Sequence, residues 1–484
     1  MSPASSERTA AAHRSRRWDA IILGSALPGL VTACRLAMAG QRVLLVEEEQ
    51  TSQAFQGLWE PFLLPGIDDK SIIQACLTDC RFPLIDRRKL IPDDVALQLI
   101  TPKARVNIGG VQATDKEFQT WGLSGGKGCR SLLNALAAAA RAEREWMLNA
   151  PFARTSRFRG TGRSRPTSRP GAAIFERGLP AEYGEAPAEL RSLLEAQAQA
   201  ISNAGKNTLP PEARAYLLGA PLEGGCSFSQ PGETLRGLFR QRLTVLNGDF
   251  RKLRKGFDFT EVNRLPGIAP RGSNENWVGR CLIFNTPLAL VAEALKAQGG
   301  PLPSILGNAV PYQRRARLHW RLPKACLPEA MARHLVCTFP SASQAAGAEN
   351  ADGNPIQDAF RLQVFPSSTG TRFVELLASA TVPPEQHAEA LAQMEQVVCE
   401  LLPFSQDKME PLSLFEPQWD DPSALADSAR NPAKGAGWPA EIQLRLSQRP
   451  PVYDLPRHNV GSLGVEGDLL LGWRAGDSIR SELE

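Results

Sequence analysis

A strand, a tight turn, a helix and a second strand follow one another near the N-terminus, and this order constrains the fold more than any other feature. The apolar run 20–23 is typical of a strand buried on both faces, and a turn rich in small residues interrupts it. A helix with Pro28 at its first position follows and stops at Gly40. The run 42–46 then predicts a second strand that leads directly to Glu47. The unit predicts an α/β protein with a parallel sheet.

The turn between the first strand and the helix has the composition of a dinucleotide-binding loop. Small residues let the backbone approach a pyrophosphate, and the start of the helix offers unpaired N–H groups with a partial positive charge. The acid after the second strand would accept hydrogen bonds from an adenosine ribose. Ala26 replaces the usual middle glycine, and its methyl group leaves less room beside the phosphates. The alternative is a strand–helix–strand unit that binds nothing. The residues expected at the site are Gly24, Ser25, Ala26, Pro28, Gly29, Glu47 and Glu48.

A signal peptide is the alternative interpretation of the same segment. Basic residues at 14–17 precede an apolar stretch, and 31–34 imitates a lipoprotein cleavage site. Against this, Arg35 lies inside the apolar stretch, where a charge costs roughly 2.5–3.5 kcal/mol at the centre of a membrane. We therefore favour the strand–helix–strand unit and expect residues 1–17 to form a flexible tail.

A second glycine-rich motif lies near the C-terminus. The segment 464–475 places glycines before a predicted helix, and Gly472 and Ala475 on one later face would let that helix press against a partner. Together with the N-terminal unit, this pattern resembles the flavoprotein superfamily of amine oxidases, phytoene desaturases and their relatives, including the Rab GDP-dissociation inhibitors. An amphipathic terminal helix with a glycine-rich start is the alternative. The resemblance implies an FAD cofactor whose pyrimidine end lies beside Gly464, Val465, Glu466 and Gly467.

The elements between the two motifs follow the order of this superfamily. A polar-edged hairpin is predicted over 97–108, a helix over 235–246, and strands over 257–262 and 280–284.

The chain departs from the superfamily pattern at two places. Relatives usually have a paired glycine, often after an arginine, shortly beyond the ribose-binding acid, and this chain has a single Gly57 there.

The second departure concerns the strand before the final helix. Relatives commonly have an Ala-Gly-Asp-like strand end at this point, and this chain has 452–457 in its place. We therefore expect either a remodelled strand with Arg457 near the cofactor or the loss of that strand.

The resemblance implies a Rossmann-like FAD/NAD(P)-binding domain with a discontinuous α+β substrate domain. The FAD-binding domain is expected at 18–90, 223–300 and 440–484. The substrate domain is expected at 91–222 and 301–439.

The charge distribution argues against whole-protein nucleic-acid binding. The net charge is +4 over 484 residues, but six arginines and no acid lie within 151–175. The rest of the folded chain is therefore slightly acidic. Residues 155–173 are rich in Arg, Ser, Gly and Pro and predict a flexible basic insertion. A solvated loop is the simpler interpretation, and peripheral contact with anionic lipid is the alternative.

Cysteine and histidine give no metal or catalytic signature. The 9 cysteines are scattered and mostly lie in apolar surroundings, which is typical of reduced thiols in a cytoplasmic protein. Cys76 and Cys80 lack the further ligands that a zinc site needs, so no metal is expected. His458 precedes the C-terminal motif and is the one histidine of interest. No catalytic residue is assigned.

The predicted function is that of an FAD-dependent oxidoreductase, phytoene desaturase-like or amine oxidase-like. It would transfer hydride between the flavin and an apolar or amine-bearing small molecule. The alternative is a non-catalytic scaffold, similar to the GDP-dissociation inhibitors, that binds a protein partner or a lipid chain. A unit that binds a nicotinamide cofactor alone is disfavoured by the C-terminal motif.

Overall fold

The fold was analysed in a computed structural model. The residues that it describes are 14–49, 64–66, 71–125, 128–149, 153–155, 179–202, 209, 211–229, 233–286, 292, 314–340, 357–367, 370–413 and 442–484.

The described strands and helices alternate along the chain. The strands are β1 (Arg14–Leu23), β2 (Val43–Glu48), β3 (Leu64–Pro65), β4 (Leu90–Asp93), β5 (Val95–Ile100), β6 (Arg105–Gly109), β7 (Ala153–Arg154), β8 (Gly225–Phe228), β9 (Asp249–Leu253), β10 (Phe257–Val262), β11 (Leu265–Pro270), β12 (Glu275–Phe284), β13 (Arg314–Pro323), β14 (His334–Pro340), β15 (Gln357–Pro366), β16 (Phe373–Val382), β17 (Glu410–Pro411), β18 (Ile442–Gln443), β19 (Arg445–Ser447) and β20 (Val452–Asp454). The α-helices are α1 (Leu27–Met38), α2 (Ile72–Asp79), α3 (Leu84–Arg87), α4 (Val111–Thr120), α5 (Arg130–Asn149), α6 (Ala181–Glu185), α7 (Ala188–Ile201), α8 (Pro211–Gly219), α9 (Leu235–Val245), α10 (His387–Leu401) and α11 (Val465–Leu483).

The larger sheet has eight strands and contains the predicted N-terminal unit. Its main order is β10-β11-β12-β1-β2-β9, and β20 pairs with both β12 and β19. The strands β20, β12, β1, β2 and β9 are parallel neighbours. Residues 20–23 are buried completely, as expected for a strand with covered faces. The eight strands come from 14–48, 249–284 and 445–454.

The first strand begins earlier than the sequence analysis expects. Residues 14–17 pair in parallel register with 275–278 of β12, so the flexible tail predicted over 1–17 is wrong for its last four residues. The reason is that β12 is ten residues long and offers backbone partners beyond the apolar run. Arg16 also lies 2.9 Å from the carboxylate of Glu275. The consecutive polar side chains here are tolerated because residues 15–17 are exposed.

The helix pair α1–α11 packs as closely as the small residues predict. A side chain at Gly472 would lie 2.5 Å from the carbonyl oxygen of Pro28 and 2.7 Å from Cβ of Val31. The Oγ1 of Thr32 donates a hydrogen bond to the Gly472 carbonyl at 3.0 Å. The expected close contact of the C-terminal helix with a partner is therefore confirmed, and the partner is α1.

The second sheet has seven strands in the order β17-β13-β16-β15-β14-β5-β6. The predicted hairpin is confirmed, because β5 and β6 pair in antiparallel register. Helix α10 packs on one face through Met394 and Val398, which lie in the same apolar cluster as Leu362 and Leu376 of the sheet. The seven strands come from 95–109, 314–382 and 410–411.

Helices from several parts of the chain share one apolar cluster with strands of the eight-stranded and seven-stranded sheets. It includes Leu30 of α1, Leu133 of α5, Leu190 of α7 and Leu470 of α11. The basic insertion predicted over 155–173 lies outside the described residues except for Thr155. Among the helices within the described ranges, none combines the length and apolar composition that a membrane crossing requires.

Candidate functional site

Three helices begin at one edge of the larger sheet. Parallel strands end at a common edge, and α1 and α11 begin there because they follow β1 and β20. Helix α9 runs back toward the start of β9, so its N-terminus lies at the same edge. In open α/β sheets this carboxyl edge is where ligands bind. Side chains from distant parts of the chain are thereby brought together.

The turn before α1 is held by an asparagine that follows β12. Gly24 has a φ of +100°, and a side chain there would lie 2.3 Å from the carbonyl oxygen of Asn285. At Gly29 an added Cβ would lie 2.5 Å from both Asn285 Nδ2 and the Gly24 carbonyl. The same Nδ2 donates to the carbonyls of Gly24 at 3.2 Å and Ala26 at 3.1 Å. Both glycines are therefore required by close approach of backbone and side chain.

The first turn of α1 is suited to an anion. Ala26 is the N-cap residue, its backbone is extended, and its side chain makes no capping hydrogen bond. The first turn contains no acidic residue, and Pro28 has no N–H to satisfy. The remaining N–H groups and the helix dipole are thus left for an acceptor outside the helix.

Glu47 is fully buried at the end of β2 and is surrounded by cations. Ser25 Oγ donates to its Oε2 at 3.1 Å, and the Arg236 guanidinium forms an ion pair with the same oxygen. Its Oε1 lies 3.6 Å from Nη1 of Arg240 and 3.8 Å from Nζ of Lys252. The neighbouring Glu48 is also buried. Oε1 is the oxygen that makes no hydrogen bond within the described part of the chain.

Arg236 is the site residue that sequence reasoning missed. It lies in the first turn of α9 and is 189 positions from Glu47. Its guanidinium also donates to Ser25, to Oγ at 2.8 Å and to the carbonyl oxygen at 3.3 Å. The sequence did offer one signal, the helix predicted over 235–246. A helix that precedes a parallel strand begins at the carboxyl edge of the sheet, so its first residues lie near the nucleotide-binding turn.

The start of α11 carries a buried carboxyl group. Gly464 is the N-cap residue with a φ of +59°, and Gly467 packs against Val460, where a Cβ would lie 2.3 Å from the carbonyl oxygen. Oε2 of Glu466 accepts a hydrogen bond from Tyr216 Oη at 2.6 Å. Burial raises the pKa of Glu466 to about 7, although nearby Arg144 favours the ionised form. Val465, the first residue of the helix, is half-buried.

The strand before α11 is retained. β20 pairs in parallel with β12, so of the two alternatives the loss of this strand is wrong. Arg457 donates two hydrogen bonds to Asp468, at 3.0 and 2.7 Å, and thereby pairs with the first turn of α11. His458 follows in a short 3-10 helix, Arg457–Leu463, and its side chain lies outside the described residues. Gly57 is outside them as well.

Several buried polar atoms at this edge make no hydrogen bond within the described ranges. Such atoms cost free energy unless a ligand or water satisfies them. A nucleotide with ribose hydroxyls, phosphates and a flavin ring supplies both donors and acceptors, so these residues fit FAD. The atoms are Glu47 Oε1, Asn285 Oδ1, Thr286 Oγ1, Ser462 Oγ and Glu466 Oε1.

A separate buried pair lies in the second sheet. Nε2 of His319 lies 3.1 Å from Oε2 of Glu375, and Ser367 Oγ donates to the other carboxylate oxygen at 2.8 Å. His319 is buried in the core. All nine cysteines are free thiols. The described residues contain no group of three or more His, Cys, Asp or Glu side chains placed to hold a metal ion.

Comparison with known proteins gives matches among solved structures. An oxidoreductase from Methanosarcina mazei has a TM-score of 0.51 and 13% identity, over 94% of this chain and 99% of that chain. Putrescine oxidase bound to putrescine has a TM-score of 0.52 and 12% identity, over 96% of this chain and 100% of that chain. Cyclohexylamine oxidase from Brevibacterium oxydans IH-35A has a TM-score of 0.50 and 14% identity, over 96% of this chain and 99% of that chain.

The chain has the fold of these oxidases. The expected fold class, a Rossmann-like domain with a substrate domain, is thereby confirmed. No family model and no curated protein sequence matches the chain. At identities this low the likeness establishes the fold, and function has to be argued from the site itself.

Proposed function

We propose that this protein is an FAD-dependent oxidoreductase that transfers hydride between the flavin and an apolar or amine-bearing small molecule. One observation carries the proposal. The start of α1 lies at the carboxyl edge of the parallel sheet with no side-chain cap and no acid in its first turn. This is the arrangement that a pyrophosphate requires. The oxidase fold of the chain supports the redox part of the proposal.

Each part of the edge has a distinct task in this proposal. The first turn of α1 binds the pyrophosphate, and Asn285 keeps the turn in place through the Gly24 and Ala26 carbonyls. Glu47 Oε1, which makes no hydrogen bond within the described residues, accepts a hydrogen bond from a ribose hydroxyl. The segment 464–467 contacts the pyrimidine end. A bound flavin supplies the electron transfer, so the chain needs no acid–base signature of its own.

The substrate class rests on the oxidases of the same fold. Two of them are named for putrescine and cyclohexylamine, which are amines, so an amine is the first class to screen. The superfamily resemblance adds apolar substrates such as those of phytoene desaturases. A small-molecule substrate and no nucleic acid remain the expected partners. A cytoplasmic location agrees with nine free thiols, and peripheral membrane contact through the basic insertion is the alternative.

The test is the absorbance spectrum of protein purified without added cofactor, followed by release of the chromophore and its identification by mass. Oxidised-flavin bands with released FAD are expected. A folded, colourless protein that also fails to bind added FAD would contradict the proposal.

A non-catalytic scaffold, similar to the GDP-dissociation inhibitors, is the second candidate function. One observation favours it: Glu47 is fully buried and its Oε2 is already bonded to Arg236 and Ser25. The methyl group of Ala26 and the single Gly57, in place of a paired glycine, also favour the scaffold function. A colourless protein that binds a prenylated peptide or a protein partner would establish this function.

A further inference from the structure

The sequence after the ribose-binding acid contains no cation for the pyrophosphate. Between Arg42 and Lys70 there is no Lys or Arg, and the paired glycine usual in the superfamily is also absent. The two phosphates of a dinucleotide carry negative charge, and helix N–H groups neutralise only part of it. Another segment has to supply positive charge if a dinucleotide binds.

Helix α9 and strand β9 bring three cations to this position. Arg236, Arg240 and Lys252 all lie within ion-pair distance of the single Glu47 carboxylate. One acid among three cations leaves a net charge of +2 for these four side chains. That excess has the sign that a dinucleotide pyrophosphate requires.

Arg236 differs from the other two cations in its contacts. It bonds both to Glu47 and to Ser25, which lies inside the nucleotide-binding turn. Its side chain is 11% exposed, whereas those of Arg240 and Lys252 are 35% and 39% exposed. The guanidinium is therefore held against the turn and kept mostly out of water, where a charge-assisted bond is strongest.

We propose that Arg236 is the pyrophosphate-binding cation of this site, supplied by α9 in place of the segment that follows Glu47. The inference rests on the proposed function. A guanidinium is planar and matches phosphate oxygens with a fork of N–H donors. Glu47 then has two roles, because Oε2 orients the arginine and Oε1 would accept a hydrogen bond from the ribose.

The experiment measures the Kd of FAD and of ADP for wild-type apoprotein and for Arg236→Ala, by flavin fluorescence and by calorimetry. ADP carries the adenosine and the pyrophosphate without the flavin, so its Kd reports on that half of the nucleotide alone. We expect the Kd of both nucleotides to rise about 10- to 100-fold in the variant, as for a lost hydrogen bond to a charged group. The Kd of the Arg236→Lys variant should lie between those of wild type and Arg236→Ala, because lysine retains the positive charge but lacks the paired N–H donors of a guanidinium.

Arg242→Ala is the matched control. Arg242 lies on the same helix, but its Nε donates to the carbonyl of Cys80, away from the turn. Its removal should change the Kd of ADP less than about threefold, because it removes no contact to the nucleotide. If Arg236→Ala fails to fold, it is combined with Glu47→Gln, which removes both charges of the pair, and the double variant is compared with Glu47→Gln alone. The double variant should then bind ADP about 10- to 100-fold more weakly than that single variant.

The outcomes separate the two proposals. Wild-type affinity for ADP and FAD in Arg236→Ala, or tighter binding, overturns the inference and shows that the arginine only fills the pocket. A wild-type protein that binds ADP through Arg236 but never FAD overturns the oxidoreductase function and leaves the inference standing. A wild-type protein that binds neither nucleotide overturns both.

Discussion

The starts of α1 and α11 make an instructive comparison, because both follow a positive-φ glycine at the same edge of the sheet. Gly24 has a φ of +100° and Gly464 of +59°. The first turn of α1 contains no acid, whereas that of α11 contains Glu466 and Asp468. Two helix starts that look alike in sequence therefore differ in charge, because the first turn of α1 is uncharged and that of α11 is acidic.

The difference lies in which groups satisfy the N-terminus of each helix. At α1 the N–H groups and the dipole are left for an anion from outside. At α11 the acids belong to the helix itself, and they are bound by Tyr216 and Arg457. Acids in the first turn offset the positive end of a helix dipole. A glycine-rich helix start alone thus does not define an anion site; the residues of the first turn decide it.

The largest expected effect is at the start of α1. Gly29→Glu should abolish FAD binding, because a carboxylate would meet the pyrophosphate and its Cβ would collide with Asn285 Nδ2 and the Gly24 carbonyl. Flavin content and thermal unfolding measure the result. Gly184→Ala is the control, since a Cβ there has no neighbour within 4 Å. Full flavin content in a folded Gly29→Glu protein would remove α1 from the site.

The next effect is at the start of α11 and depends on pH. The raised pKa of Glu466 means that the folded state binds more protons than the unfolded state, so stability falls as pH rises from about 4.5 to about 7. Glu466→Gln should remove this loss. At pH 8 the variant should be more stable than wild type by roughly 3 kcal/mol at most, and at pH 4.5 the two should be alike.

Denaturant unfolding of wild type and Glu466→Gln at pH 4.5 and pH 8 measures the difference in their unfolding free energies. His334, whose pKa burial lowers to about 4, destabilises the folded state as pH falls through 6.5, which is the opposite trend. It is present in both proteins and cancels in the comparison. An equal stability difference at pH 4.5 and pH 8 would show that Glu466 ionises normally.

A smaller effect is expected where the two helices touch. Gly472→Ala places a methyl group within 2.5 Å of the Pro28 carbonyl, so the helices must separate. We expect a loss of about 1–3 kcal/mol in unfolding free energy and weaker FAD binding. Gly184→Ala serves again for comparison, because Gly184 also lies within a helix and a Cβ there has no neighbour within 4 Å. Unchanged stability in Gly472→Ala would mean that α1 and α11 are not rigidly linked.

Local patterns predicted the elements of the nucleotide-binding half with good accuracy. The buried run 20–23, the turn at Gly24 and the helix ending before Gly40 could be read from neighbouring residues, since each depends on local conformation or periodicity. The start of β1 at residue 14 could not be predicted in this way. A strand extends as far as its partner offers hydrogen bonds, and the partner here, β12, is distant in the sequence.

The sequence by itself determined the strand–turn–helix–strand unit, the acid at its end and the small residues of the last helix. Only the tertiary structure decided what those groups meet: Arg236 at Glu47, Asn285 at the turn, and Tyr216 at Glu466. The physical reason is that backbone conformation and amphipathicity are local properties. The charge and polarity around a buried group are set by residues that folding brings from 189 to 259 positions away.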